Sequence, residues 1–186
     1  SDAELARYAR QTRYKPLGEA GQRRLAESRV LVVGCGALGT VSASTLVRAG
    51  VGHVRIVDRD YLELSNLQRQ VLHQDANVGQ AKVDSAKETL TGLNPHIKID
   101  TINAVLDEHE IEALVAQHSI VMDCTDNVMV REQLNQSCFK HKIPLISAAA
   151  IRMEGMVTVF DYQAQTPCYH CFSQLFGEQQ LSCVES

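Results

Sequence analysis

Val30-Leu-Val-Val-Gly34-Cys-Gly36-Ala-Leu-Gly39 decides the fold. The aliphatic run is too short for a buried helix and rich in valine, so it reads as a buried strand. Gly34 and Gly36 let the chain turn tightly and approach a phosphate. Gly39 lets the following helix pack close to the strand. The N–H groups at that helix start face an anion. The fingerprint indicates a nucleotide without saying which one.

The chain continues in the same style. Leu38, Val41, Thr45, Leu46 and Ala49 place apolar or small residues on one helical face, and Gly50 is a natural stop. Val54-Arg-Ile-Val57 reads as the second strand. Asp58 follows it, 19 residues after Gly39, where a dinucleotide fold carries its ribose-binding acid. Further helices are expected over 79–90, 107–116 and 127–139, and strands over 97–102, 119–123, 143–150 and 156–160. Strands alternating with helices predict an α/β, Rossmann-like, doubly wound and mainly parallel sheet with right-handed crossovers. Ser1 and Glu4 have capping-box spacing, so a short helix opens the chain. Residues 1–29 hold seven Lys/Arg against four Asp/Glu and no strand. They read as an N-terminal helical arm before a nucleotide-binding domain over 30–186.

Composition narrows the classes. The chain has 186 residues, 45% hydrophobic and 22% charged, with a net charge of −4. That balance gives no reason to expect nucleic acid or an anionic membrane. No apolar run has membrane-span length, and the basic N-terminus lacks a signal-peptide core. Of six cysteines only Cys168 and Cys171 form a pair, which suits a reducing cytoplasm better than a disulfide framework. There is no Walker A sequence and no Ser–His–Asp ordering.

Ligands belong at the carboxyl ends of the strands. Four clusters map there: the glycine turn, Asp58, the stretch around Asn66 and Arg69, and Asp126-Asn127. Asp58 reads as a ribose ligand or as a loop acid capping the next turn, and strand position with glycine spacing favours the ribose. Asp60 reads as a loop residue. Asn66 and Arg69 are three apart, so a helical turn would put both on one face, and an Arg there can fork two phosphate oxygens. Lys82 sits in the first turn of its helix, where a cation opposes the dipole unless a phosphate lies in front of it. The residues leave a phosphate ligand and a surface lysine equally open. Asp126 could cap its helix or hold Mg²⁺ beside a triphosphate. Cys168 and Cys171 could be a redox pair or half of a zinc site. Cys183 stands alone, with Ser182 and Glu185 nearby.

Arg7-Tyr-Ala-Arg-Gln11, the glycine turn, Ser65-Asn-Leu-Gln-Arg-Gln70, Gly79-Gln-Ala-Lys82, Asp123-Cys-Thr-Asp-Asn127 and Cys168-x-x-Cys171 occur together and in order. This set resembles the MoeB/ThiF family, bacterial relatives of ubiquitin-activating enzymes. Ala149-Ala-Ile-Arg-Met-Glu-Gly155 and Leu175-Phe-Gly-Glu178 resemble its MoeB branch most. The resemblance implies an adenylyltransferase that uses ATP and Mg²⁺. Its substrate would be the C-terminal Gly-Gly carboxylate of a small ubiquitin-like sulfur carrier in molybdopterin biosynthesis. A thiamine-pathway carrier is the alternative. An NAD-dependent oxidoreductase and an inactive scaffold are the rival classes. The first leaves Arg69, Lys82 and Asp126 idle, and the second does not need them.

By the same resemblance Gly36, Ala37 and Asp58 hold the adenosine. Asn66, Arg69 and Lys82 hold the phosphates, with Ser65 and Asn127 also in the nucleotide site, and Asp126 holds the Mg²⁺. Arg10 reaches into the partner's site of a homodimer. Cys168 and Cys171 are ligands of a structural Zn²⁺. Cys183 serves sulfur transfer or a thioester, with a possible sulfur-donor protein, and not adenylation. The family continues past this chain with a crossover segment, further strands and a second Cys-x-x-Cys. A C-terminally incomplete fold with half a zinc site is therefore expected.

Overall fold

The computed structural model describes residues 2–174. Cys183 and Leu175-Phe-Gly-Glu178 lie outside the described residues. Three short helices open the chain: α1 (Asp2–Arg7), α2 (Ala9–Thr12) and α3 (Gly18–Glu27). Strand β1 (Arg29–Val33) follows, then α4 (Ala37–Ala49), β2 (His53–Val57), α5 (Lys82–Leu93), β3 (Lys98–Ile102), α6 (Glu108–Val115), β4 (Ile120–Asp123), α7 (Val128–His141), β5 (Leu145–Ile151), β6 (Glu154–Phe160) and α8 (Tyr169–Ser173). Two 3₁₀ turns, Leu64–Asn66 and Asp75–Asn77, lie between β2 and α5.

The six strands form one sheet in the order β3-β2-β1-β4-β5-β6. All neighbours are parallel except the β5–β6 hairpin. The α/β, doubly wound, mainly parallel expectation holds. Val30 and Val32 face one core with Ala43 and Val47 of α4 and Val83, Ala86 and Leu90 of α5. Leu31 and Val33 face the other, with Ile111 and Val115 of α6, Leu134 and Cys138 of α7, and Tyr169 of α8. A strand buried on both faces needs an unbroken aliphatic run, which β1 has.

Chain order reverses between β1 and β4. Val33 pairs with Val57 on one side and with Asp123 on the other, so the carboxyl ends of β1, β2 and β4 are level. This is the switch point where open α/β sheets bind ligands.

Several boundaries differ from the expectation. Helix α5 starts at Lys82 rather than Gly79, because Gly79 sits at φ +90° in the preceding turn. The core face of α4 is also rotated. Gly39, Thr40, Ala43 and Val47 are buried, whereas Val41 and Thr45 are exposed. The helix lies so close to the turn before it that a Cβ at Gly39 would stand 1.9 Å from the Gly34 carbonyl oxygen. Contact that close selects small residues over a leucine stripe.

Among the described residues the arm docks at one end of the sheet. Gln11 and Gln22 both donate to the Ala49 carbonyl, at 2.7 and 3.0 Å. Asn94, fully buried after α5, donates to the Tyr8 hydroxyl at 2.8 Å. Arg7 donates to the Leu93 carbonyl at 3.1 Å. All these contacts lie at the C-terminal ends of α4 and α5.

Candidate nucleotide site

The glycine turn is held from two directions. Gly34 has φ +96°, and a Cβ there would meet the Cys124 carbonyl oxygen at 2.6 Å. The turn is thus pressed against the loop after β4. Gly36 differs: nothing comes nearer to a built Cβ than the Gln70 side chain at 4.0 Å. Its open side is where a ligand can reach the backbone.

Asp58 lies just beyond β2. Its Oδ2 accepts the Cys35 N–H at 2.6 Å and its Oδ1 accepts the Asp60 N–H at 2.8 Å. Both readings of this residue meet here, since it caps its own turn and is fixed against the glycine turn. A carboxylate has about four lone-pair sites, so two hydrogen bonds leave room for a ribose hydroxyl.

Lys82 is buried, which overturns the surface-lysine alternative. It opens α5, and its Nζ lies 2.8 Å from Asp60 Oδ2. Asp60 is thus more than a loop residue. Asn66 and Arg69 share a turn, but they do not share an environment. Asn66 is buried and its Oδ1 accepts the Glu63 N–H at 3.0 Å. Arg69 is exposed, and its guanidinium meets only the Ser65 carbonyl, at 3.0 Å, among the described residues. The capping demand of the 3₁₀ turn pulls Asn66 inward. Ser65 is exposed, with its hydroxyl 3.3 Å from Glu63 Oε2.

After β4 the capping residue is Asn127, not Asp126. Asn127 Oδ1 accepts the Met129 and Val130 N–H groups at 2.9 and 3.1 Å. Asp126 is exposed and has no hydrogen-bond or ion-pair partner among the described residues. One of its two possible roles is taken by its neighbour. A solvent-facing carboxylate at the carboxyl ends of the strands could serve a cation that takes waters and ligand oxygens as its other ligands.

Four neighbours of the site have no role that the sequence singles out. His73 is buried under the glycine turn, with Nδ1 2.9 Å from the Ser85 hydroxyl, and burial holds its pKa below the ordinary value. Gln70 is buried with Oε1 unpartnered among the described residues. Arg131 and Asp123 form a buried ion pair at 3.3 Å. A strand-end acid followed by a lone arginine in the next helix was the available signal.

The cysteines divide by environment. Burial pushes the Cys35 thiol up to about 12, with Asp58 adding to it, and Cys138 to about 12 and Cys124 to about 11. These are inert thiols. Cys168 stands at the N-cap position of α8, and its Sγ is 3.7 Å from that of Cys171. Burial alone would raise its pKa. The N–H and thiol of Cys171, the N–H of His170 and the Asn135 side chain outweigh that and lower it. Two thiolates at ~2.3 Å from a tetrahedral zinc would stand about 3.8 Å apart, so this pair fits. His170 is turned to Glu132, with Nδ1 2.6 Å from Oε1. Among the described residues no group of three or more possible ligands comes together.

A family model described as the ThiF family matches residues 8–185. The chain is 55% identical over all 186 residues to the molybdopterin-synthase adenylyltransferase of Escherichia coli (strain K12), covering 75% of that protein. It is 42% identical over 168 residues to the adenylyltransferase and sulfurtransferase MOCS3 of Drosophila willistoni, covering 90% of this chain and 37% of the relative. Among solved structures it is similar to E. coli MccB with ATP, at TM-score 0.75 and 26% identity, over 81% of this chain and 46% of that one.

Proposed function

The chain belongs to the ThiF family, and from that premise we propose that it adenylates the C-terminal Gly-Gly carboxylate of a small ubiquitin-like sulfur carrier, using ATP, in molybdopterin cofactor biosynthesis. One observation carries the reading. Asn127 caps α7 and leaves Asp126 a free carboxylate on the same rim as the cations Lys82 and Arg69. A metal–triphosphate uses both cations and the acid, whereas a dinucleotide would leave them idle.

The carrier carboxylate attacks the α-phosphorus, the new acyl–phosphate bond forms, and the α–β bridge breaks to release pyrophosphate. No protein nucleophile is required. Alignment and charge neutralisation are what the protein supplies. Gly36, Ala37 and Asp58 hold the adenosine. Asn66, Arg69 and Lys82 hold the phosphates, with Ser65 and Asn127 beside them. Asp126 holds Mg²⁺, which offsets charge on the phosphates when bound. Cys168 and Cys171 supply two of the four ligands of a structural Zn²⁺, and Cys183 serves a later sulfur-transfer or thioester step.

The working unit is a homodimer in which residues 1–29 are an arm serving the partner's site and 30–186 the adenylation domain. Two features support this. Arg10 is exposed and unpartnered among the described residues, and its arm is anchored where α4 ends. The 13 residues of α4 place that anchor about 20 Å from the glycine turn. That separation supports Arg10 serving a partner's site rather than its own. Second, Val157 and Val159 of β6 are exposed, paired with Ala148 and Ile146 of β5 on the α4 side of the sheet. A second copy covering this face would bury it. Among the described residues no helix is long and apolar enough to cross a membrane, and all five cysteines are free. Free thiols support a reducing, cytoplasmic setting.

Ligand-dependent thermal shift tests the nucleotide. A ligand that binds only the folded state raises Tm. Mg-ATP should do so and NAD should not. Stabilisation by NAD alone would replace this reading with the oxidoreductase one.

A further inference from the structure

We propose that Arg131 is the positioning residue that fixes the loop carrying Asp126, and that it acts on nucleotide-bound metal through that loop. The inference rests on the reading of Asp126 as the Mg²⁺ carboxylate and goes beyond it.

Asp123 ends β4 and is fully buried. Its Oδ1 accepts the Thr125 N–H at 3.1 Å and the Thr125 hydroxyl at 2.7 Å. Its Oδ2 accepts the Ser147 hydroxyl at 2.7 Å and lies 3.3 Å from Arg131 Nε. A buried carboxylate is costly unless paired and hydrogen-bonded. Here three hydrogen bonds satisfy it, and the guanidinium adds an ion pair through Nε, which itself makes no hydrogen bond among the described residues.

Arg131 lies in the first turns of α7 and is itself buried. One terminal nitrogen donates to the Thr125 carbonyl and, at 3.0 Å, to the Ala148 carbonyl of β5. The other is 3.4 Å from the Ser147 hydroxyl. Thr125 is therefore held at its N–H, its hydroxyl and its carbonyl at once, by two side chains that also hold each other. Asn127 is fixed on the other side, by capping α7. Asp126 is the one residue between these anchors, and its own side chain is unheld. Loop residues with both neighbours clamped present a side chain with little backbone freedom left to lose on binding. The device also joins β5 to the loop, so the neighbouring strand helps set where the carboxylate stands.

A planar fork is needed. Lysine would keep the charge beside Asp123, yet its point donor cannot serve the Thr125 and Ala148 carbonyls and Ser147 together. Arg131→Lys should therefore fold while loosening the loop. Ser147→Ala is a gentler second variant that removes only the hydroxyl bridge.

The test is a double-mutant cycle read as ATP affinity, by calorimetry, with and without Mg²⁺. In wild type the metal should strengthen binding. Asp126→Ala should abolish that increment. Arg131→Lys should reduce it about tenfold, the scale of one charge-assisted hydrogen bond, and leave metal-free affinity unchanged. Ser147→Ala should reduce it less. In the Asp126→Ala background Arg131→Lys should have no further effect. If Arg131→Lys lowers metal-free affinity equally, or its effect persists without Asp126, Arg131 is a general structural residue and the proposal is overturned while the Asp126 reading stands. An increment that survives Asp126→Ala overturns both.

Discussion

Lys82 and Asp60 hold each other twice: Nζ lies 2.8 Å from the Asp60 carboxylate, and the Lys82 N–H donates to the Asp60 carbonyl at 3.0 Å. The carboxylate stands at the start of α5, where an anion is favoured. A phosphate reaching that helix end meets a lysine already extended and in place.

Asp60→Asn should lower stability by about 1 kcal/mol, because it leaves a buried ammonium at the positive end of a helix. Saturating Mg-ATP should narrow the gap in Tm, since phosphate replaces the lost charge. A gap that stays constant with ATP would place Lys82 away from the phosphates. Lys82→Ala should lower kcat by about 100-fold or more.

Arg10→Ala and Asp126→Ala should each be inactive alone. Mixed in equal amounts with subunit exchange, half the dimers combine the two, and each has one site with both native residues. Activity should return to about a quarter of wild type. No recovery in exchanged dimers would remove Arg10 from the partner's site.

Stability should fall on mild acidification. Burial holds His53, His73 and His118 below the ordinary imidazole value. The unfolded chain therefore takes up protons from about pH 6.5 downward while the folded chain does not, so stability is lost as pH falls. Asp100 adds a second, lower limb. Burial would raise its pKa, but hydrogen bonds from Arg55, His53 and Lys98 bring it to about 2. Its contribution is present above about pH 4 and is lost from there downward. Urea midpoints between pH 7 and 5 measure the first limb, and His118→Gln should flatten it. A flat profile in wild type would contradict the buried neutral imidazoles.

Brief alkylation of the native protein at neutral pH should spare Cys35, Cys124 and Cys138, whose thiols burial keeps protonated. Cys168 and Cys171 should react in metal-free protein and be protected by zinc. Cys183→Ala should leave adenylation intact. Equal labelling of Cys35 and Cys171, mapped by mass spectrometry, would contradict the assignment.

What was legible in the sequence is what is local. The valine run, the glycine turn and Asp58 lie within one β-α-β unit, and their spacing alone places them. Lys82 was ambiguous because its burial depends on Asp60, 22 residues earlier, folding back across the start of α5. For Arg131 the sequence offers only a strand-end acid and a lone arginine in the next helix, which names no partner. Only the pairing of β4 with β5 brings Ser147 and Ala148 to it and makes it an anchor. Asp126 and Asn127 are both good capping residues, and nothing in the sequence says which one caps. The rotated face of α4 follows from the contact of Gly39 with the glycine turn, which periodicity does not contain.

ATP–pyrophosphate exchange measures adenylation of a carrier carboxylate most directly. Charge develops on the α-phosphate only when that carboxylate attacks. Exchange should require Mg-ATP together with a ubiquitin-like carrier ending in Gly-Gly, and should disappear when the last glycine is removed. Exchange at an equal rate with the shortened carrier, or with none, would contradict the account.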